Sequence, residues 1–469
     1  MSAAARPAAE SPAPALPACL LERLIGRSAA AWTVDDLVAL AEERGLRLVP
    51  LLHVGSDGWL KALDFVPRTR AHLRDILTGG ERADGSSLFP GLGIRTGASD
   101  VVLRPRLSTA FLDPFSPLPT LALLCSHAGR DGRPLPQSPD TIVHAADERL
   151  RRETGVGLCA HGEVEYFLAK RSEEKDIYGA SERGYHATAP FVFGESLRRR
   201  ALALLAEIGV PVKYGHSEVG YVEAGEADGL IWEQHEIELA LAPLPQAADG
   251  VVLAQWVLRN LAHRDGMRVS FDPILRPGHA GTGLHFHLTP AADGALLDVK
   301  RPDGSLAEPA QWLIAGLVQL GGALMAFGNR GGGSFVRISQ AKEAPNAIIW
   351  GDADRTALVR LPIVARTEDG RPVTPPTVEF RLPDGSAHPH LLLAGVAQVM
   401  VAGKATRDIP ALLAKTAASA PGARTGAVTR VPSSFPEVGE TLSRHRAVFE
   451  AGGVFPPALI DTVVAKLEE

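Results

Sequence analysis

The sequence predicts an α+β protein of two domains, a small one first and a larger sheet with covering helices behind it. Three observations carry that expectation. The 469 residues exceed the size at which a single core stops growing. Hydrophobic residues make up 45% of the chain, enough to fill more than one core. The rhythm of strand-like and helix-like runs also changes at a Pro-rich polar stretch, DGRPLPQSPD at 131–140.

Residues 1–17, rich in Ala and Pro, lack the basic start and apolar run of a signal peptide and read as a disordered tail. TVDDLVALAEERG at 33–45 opens on a Thr cap, keeps apolar residues at helical spacing and closes on Gly45. LRLVPLLHVGSDGWLKALDFV reads as two strands around a Ser-Asp-Gly turn. Further short strands, broken by Pro and Gly, fill 101–126. Residues 18–130 are thus expected to form the small domain and 131–469 the large one. In the latter, strand-like LCAHGEVEYFLA and TVEFRLP alternate with helical TIVHAADERLRRETG, SLRRRALALLAEIG and VLAQWVLRNLAHRDG. The stretch from 431 onward reads as two helices.

Bulk properties narrow the partners. A net charge of −6 gives no electrostatic footprint for nucleic acid or an anionic membrane, which favours a small molecule. No window approaches the ~20 uninterrupted apolar residues that span a bilayer. Cys19, Cys125 and Cys159 sit at no metal-ligand spacing and form no disulfide framework, so a cytoplasmic location is expected.

Several short runs carry chemistry. In GEVEYFL, Glu163 and Glu165 alternate on a strand and share a face; alone, that pattern fits a solvated edge as well as a cation site. HSEVG offers Glu218, and EQHEIEL offers Glu236 with Glu233 and Glu238 beside it. In GTGLHFHL, His285 and His287 share a strand face behind small residues that allow close approach of a ligand. Imidazole and carboxylate around a phosphate suit Mg²⁺ or Mn²⁺. Arg337, Arg355, Arg360 and Arg381 crowd into a short span, and VEFRLPDGSAHPH places Glu379 and Arg381 on one strand face. Arginine forks recognise carboxylate and phosphate, so the combination points to phosphoryl transfer.

These motifs, in this order, resemble the glutamine synthetase family from about residue 33 onward. KEAPNAIIWGDADRTALVRLP resembles the family's flap and arginine segment, and VEFRLPDGSAHPHLLLAGV its glutamate-arginine motif. The resemblance implies a β-grasp-like N-terminal domain ahead of a glutamine synthetase-type catalytic α/β domain. It implies one metal held by Glu165, Glu218 and Glu236, and a second held by Glu163, His285 and Glu379. ATP would lie across both, with His287 near the nucleotide and Arg355 and Arg360 near its phosphates. Gly281, Arg337 and Arg381 would lie near a glutamate substrate, and Glu343 would be the flap carboxylate. The family builds its sites between neighbouring subunits of stacked rings, which implies a homo-oligomer, a dodecamer.

The implied activity is an ATP-dependent ligase that phosphorylates the γ-carboxylate of glutamate and lets an amine displace phosphate. LFPGLGIRTGASD resembles the family's phenylalanine-aspartate-glycine-serine-serine segment with Pro90 where the ammonium-binding aspartate would stand, and proline holds no cation. Ala280 replaces the asparagine usual before Gly281, and residues 221–232 form an insertion between two ligand segments. Tyr185 matches a tyrosine of the amine pocket. An organic amine is therefore expected in place of ammonium. Ordinary glutamine synthesis and a non-catalytic role are the alternatives. VAGKATRDIPALLAK lacks the tyrosine at which regulated members are modified.

Overall fold

The computed structural model describes residues 19–173, 183–224, 229–340, 344–421 and 430–468. The tail 1–17 and Glu343 lie outside the described residues.

The α+β architecture is present as two sheets. In the first, β1 (Val49–Val54), β2 (Leu60–Phe65), β3 (Glu81–Asp84), β4 (Asp100–Pro105), β5 (Phe111–Leu112) and β6 (Leu121–Ala128) form a six-stranded sheet ordered β2-β1-β6-β4-β3, with β5 on β6. β1 and β6 are parallel and the other pairs antiparallel. Strands β1 and β2 join through Ser56, Asp57 and Gly58, whose φ of 85° explains the glycine. Helix Val34–Glu43 lies beside this sheet and begins in a reciprocal capping box between Thr33 and Asp36.

LLHV and LALL do not alternate, and all of LLHV including His53 is buried, because both faces of the first sheet are covered. Leu51, Leu103, Leu121 and Leu123 face a small core with Leu37, Leu73 and Ile76. Leu52, Ala122 and Leu124 point the other way, into the main core of the molecule.

The second sheet contains β7 (Gly157–Arg171), β8 (Val212–Val222), β9 (Leu230–Leu239), β10 (Ala242–Pro243), β11 (Arg268–Ser270), β12 (Phe286–Ala292), β13 (Ala295–Leu296), β14 (Trp350–Asp352), β15 (Val359–Leu361) and β16 (Val378–Phe380). Its main order is β14-β15-β16-β12-β7-β9-β8. Helices Pro139–Thr154, Leu244–Arg264, Glu308–Gly328 and Pro389–Lys404 pack together against one face of it. Residues 221–232, set apart in the sequence as an insertion, comprise the end of β8, the connection 223–229 and the start of β9, with Val222 paired to Trp232, and 225–228 lie outside the described residues.

One expectation is corrected. Glu308–Gly328 is long and apolar enough to cross a membrane, but 89% of its most apolar window is buried inside the protein. Its hydrophobicity on all sides is that of a core helix.

Two polar ties fix the sheets to each other. Arg106, at the end of β4, donates to Asp249 at 2.8 and 3.2 Å and pairs with Asp140 at 3.4 Å. His390 reaches the same Asp249 at 3.0 Å. His388, at the head of helix Pro389–Lys404, lies 3.4 Å from the Gly55 carbonyl in the β1–β2 turn. The DGSAHPH run is thus a strut between the two sheets.

Candidate active site

Strand pairing brings the separated motifs onto one face. β7 pairs with β9 so that Glu163 lies opposite Glu238 and Glu165 opposite Glu236. On the next strand, His216 stands opposite Glu236. On the other side of β7, His287 pairs with His161 and, through β16, with Glu379, which in turn faces Arg360 on β15. Residues two apart share a face, so this register sums six strands into one acidic, imidazole-rich surface that ends on Arg360. Glu233 has the opposite parity and accepts from the Phe193 and Gly194 amides at the start of helix Glu195–Glu207.

Among the described residues four overlapping groups of ligand-type side chains result; His161, Glu238 and His287 form one and Glu163, Glu236 and Glu238 another, and the remaining two contain the ligands expected from the sequence other than Glu165. Glu163, His285 and Glu379 converge, with ligand atoms within 4.8 Å of one another; His285 Nδ1 lies 2.8 Å from Glu163 and 3.8 Å from Glu379. His216, Glu218 and Glu236 make the other of those two. Glu165 stands beside that group, its Oε2 accepting from the Gly283 amide at 2.7 Å and Gln234 Nε2 at 3.0 Å. The glycines here are required: a Cβ on Gly283 would meet His285 Nε2 at 2.6 Å and Glu165 Oε1 at 2.8 Å, and one on Gly281 would meet Arg337 Cγ at 2.8 Å. Ala280, between His279 and Gly281, is buried.

His287 accepts or donates at both ring nitrogens, to Glu163 at 2.9 Å and Thr377 at 2.7 Å, and stacks on His161 at 4.7 Å. Arg360 donates to Glu379 at 2.9 Å, and Arg381 donates to the other oxygen of the same carboxylate. Arg381 also donates through Nε to the Arg355 carbonyl at 3.1 Å. Arg337 Nη1 reaches the Leu382 carbonyl at 3.1 Å while Nη2 lies 3.3 Å from His285. Arg337 and Arg381 are 5% and 2% exposed, so neither is a surface-loop cation.

Glu163, Glu165, His216, Glu218, Glu236, His285, His287, Arg360 and Arg381 border a cavity of about 360 Å³, with Arg355 and Tyr185 also in its lining; Glu379 and Arg337 stand behind that wall, bonded to Arg381 and beside His285 respectively. Tyr185 is half exposed and stacks on His186 at 4.2 Å, with the His216 ring edge-on at 5.4 Å.

The electrostatics explain what the face is built for. Burial, then the charges of Glu163, Glu165, Glu218 and Glu238, push Glu236 well above the ordinary carboxylate range. Burial also raises Glu165. Burial opposes ionisation of Glu163 as well, but His287 and His285 outweigh it and hold that carboxyl well below the usual range. Five carboxylates in so small a volume call for positive charge, and the oxygen-and-imidazole donor set fits Mg²⁺ or Mn²⁺.

Sequence reasoning missed His161, His216 and Lys213. His161 pairs with Glu238 at 2.9 Å, and Lys213 donates to the same carboxylate. His161 lies two residues before Glu163, so the alternation already pointed to it.

A second missed segment is Asp84-Gly85-Ser86-Ser87. It spells the aspartate-glycine-serine-serine run literally, and it corrects the register that set Pro90 in the aspartate's place. Asp84 ends β3, and its carboxylate accepts from Ser86 Oγ at 2.7 Å and Ser87 Oγ at 2.6 Å. The hydroxyls of Ser87, Ser86 and Ser99 hold it far below the ordinary carboxylate range. Asp84 is exposed and does not line the cavity of its own chain.

Residues 137–468 match the glutamine synthetase catalytic domain. Among similar proteins, 3-hydroxylaminophenol mutase of Cupriavidus pinatubonensis is 28% identical over 94% of this chain and 96% of its own length. The glutamine synthetase of Azotobacter vinelandii is 30% identical over 82% of this chain and 86% of its own. A Plasmodium falciparum glutamine synthetase structure superposes with a TM-score of 0.77 at 17% identity, covering 93% of this chain and 95% of that one. A GmaS/ADP complex superposes at 0.71 and 19%, covering 92% and 94%.

Proposed function

The chain belongs to the glutamine synthetase family, and on that premise we propose an ATP-dependent ligase that joins glutamate, or a close acidic analogue, to an amine through a γ-glutamyl phosphate. The carrying observation is the single sheet face on which two carboxylate-imidazole groups adjoin the guanidiniums of Arg337, Arg355, Arg360 and Arg381.

Glu163, His285 and Glu379 would hold one Mg²⁺ or Mn²⁺, and Glu218 and Glu236 a second, with Glu165 and His216 as the remaining donors. Bound there, the ions would neutralise phosphate charge. Arg355 and Arg360 face the volume left for the phosphates of ATP, and His287 borders it. Arg337 and Arg381 would orient the carboxylates of the substrate, and Gly281 would leave it room. A γ-carboxylate oxygen attacks the γ-phosphorus and ADP leaves. The amine nitrogen then attacks the acyl carbon, phosphate leaves, and the amine's proton passes to a carboxylate of this face. Glu343 is proposed as the flap residue that keeps water from the acyl phosphate.

The amine is proposed to be organic. Ala280 and the open Tyr185–His186 wall support that reading, as does similarity to proteins whose names depart from glutamine synthetase. Asp84 favours ordinary glutamine synthesis as the second reading. In either case Asp84 would have to serve the cavity of a neighbouring copy, which supports a ring-forming homo-oligomer, a dodecamer, in the cytoplasm.

The test is phosphate release from Mg²⁺-ATP and glutamate across ammonium, methylamine, ethanolamine and polyamines, with mass detection of the amide. Turnover with an organic amine and little with ammonium supports the first reading, and ammonium preference selects the second. Silence with every amine would return the non-catalytic role.

A further inference from the structure

A second, larger cavity lies away from the acidic face. It measures about 810 Å³ and opens between the β1–β2 turn, helix Leu244–Arg264, the Gly385–Ala387 loop and the last helix, Pro457–Glu468. Its cations lack counter-charges. Arg259 is held between two aromatic rings, 5.0 Å from the Trp59 centroid and 4.7 Å from that of Phe271. Arg330 spends Nη1 on the Asp57 carbonyl at 3.1 Å. Lys466 adds a third positive charge at the rim. Among the described residues no carboxylate pairs with any of the three.

Two acids also border the space, and both are engaged. Asp57 pairs with Lys61 at 2.7 Å, and Asp272 accepts from Ser270 Oγ at 2.9 Å. Burial lowers the pKa of both Arg259 and Arg330, and the Asp57 charge opposes it at Arg330. An anion that brings its own charge would meet three cations bound to no carboxylate: Arg259, half-buried between the two rings and donating to Gln255 Oε1 at 3.5 Å, and Arg330 and Lys466, which are exposed at the mouth. Trp256, Phe435 and Leu391 give the wall apolar surface, interrupted by polar side chains such as Gln255 and Ser386.

We propose that this cavity binds an organic carboxylate with an apolar, ring-sized body, its carboxylate on Arg259 and Arg330 and its body against Trp59, Trp256 and Phe271. The size falls within the range of small-molecule pockets. The site goes beyond the ligase reading and does not depend on it, because the wall formed by Phe271, Asp272 and Gly385 separates it from Gly281 and Arg337.

The test uses the full-length protein without ATP or glutamate. Phenylacetate is titrated calorimetrically and by tryptophan fluorescence, with phenylacetamide as a neutral probe of the same shape. Phenylacetate is expected to bind saturably and raise Tm, and phenylacetamide to bind at least tenfold more weakly. Arg259→Gln combined with Arg330→Gln should lower phenylacetate affinity at least tenfold. Lys466→Gln, at an exposed position on the last helix, should lower it several-fold and keeps the test open if the double variant does not fold. Glu163→Gln should leave phenylacetate affinity unchanged while disabling the cleft, which separates failure of this site from failure of the ligase reading. Equal affinity for the two probes, undiminished affinity in the variants, or no saturable phenylacetate binding overturns the proposal.

Discussion

The two sheets of this molecule use one alternation for opposite ends. In the six-stranded sheet both parities are apolar: Leu51 and Leu123 fill one core, Leu52 and Leu124 the other. In the ten-stranded sheet Val164 and Ile237 go inward, while Glu163, Glu165, Glu236 and Glu238 crowd the opposite face. The first sheet therefore gives its side chains to stability on both sides. The second separates stability and chemistry by parity, and its chemical face is electrostatically unfavourable until cations arrive.

The sharpest break of that comparison is Glu236→Gln. It removes a proposed ligand and a charge that its neighbours repel, so activity should fall by at least about 100-fold. Stability without metal should rise, by on the order of 1 kcal/mol. Phosphate release and urea unfolding in chelator would show both, and a destabilised metal-free variant would contradict the account.

Leucine truncations test the parity rule next. Leu123→Ala and Leu124→Ala point to different cores and should each cost ~2–5 kcal/mol, as should Ile237→Ala on the inner face of β9. Denaturant midpoints measure this, and a Leu124→Ala cost near zero would mean that the outer face of the first sheet is not truly packed.

Acid should weaken the first sheet before the second is affected through the same residues. Burial, then the Lys61 charge, lowers His53 to about 4, and burial, then His53, lowers His127 to about 3. Both are neutral in the fold, and the unfolded chain binds their protons below the ordinary 6.5. Their contribution is complete above pH 6.5, falls as pH drops toward 4 for His53, and continues falling toward 3 for His127. Tm against pH should flatten over that interval in His127→Gln. The smallest expected effect is Thr33→Ala, which removes the cap of Val34–Glu43 at a cost of about 1 kcal/mol, read as a small Tm shift with activity intact.

Much of the site was legible because alternation is local. Glu163 and Glu165, His285 and His287, and Glu379 and Arg381 each declare a shared face within three residues. Which strands lie side by side is not local. His216 meets Glu236 only through the β8–β9 register, and Glu163 meets His285 across more than a hundred residues of chain. The two-sided burial of LLHV and LALL showed in their lack of alternation, but not which core each face would join. Asp84-Gly85-Ser86-Ser87 was legible letter by letter; aligning on Phe89 hides it, because the nearby Gly and Ser residues offer a false register.

The DGSAHPH strut bears on how motion would spread. Its histidines do no chemistry: His388 rests on the Gly55 turn, and His390 locks through Asp249 to Arg106. Glu379 sits only a few residues upstream on the same stretch of chain. Any tilt of the first sheet is therefore delivered to Glu379 through a short, stiff lever, and the rim that presents Asp84 outward and the carboxylate at the heart of the cleft move as one piece.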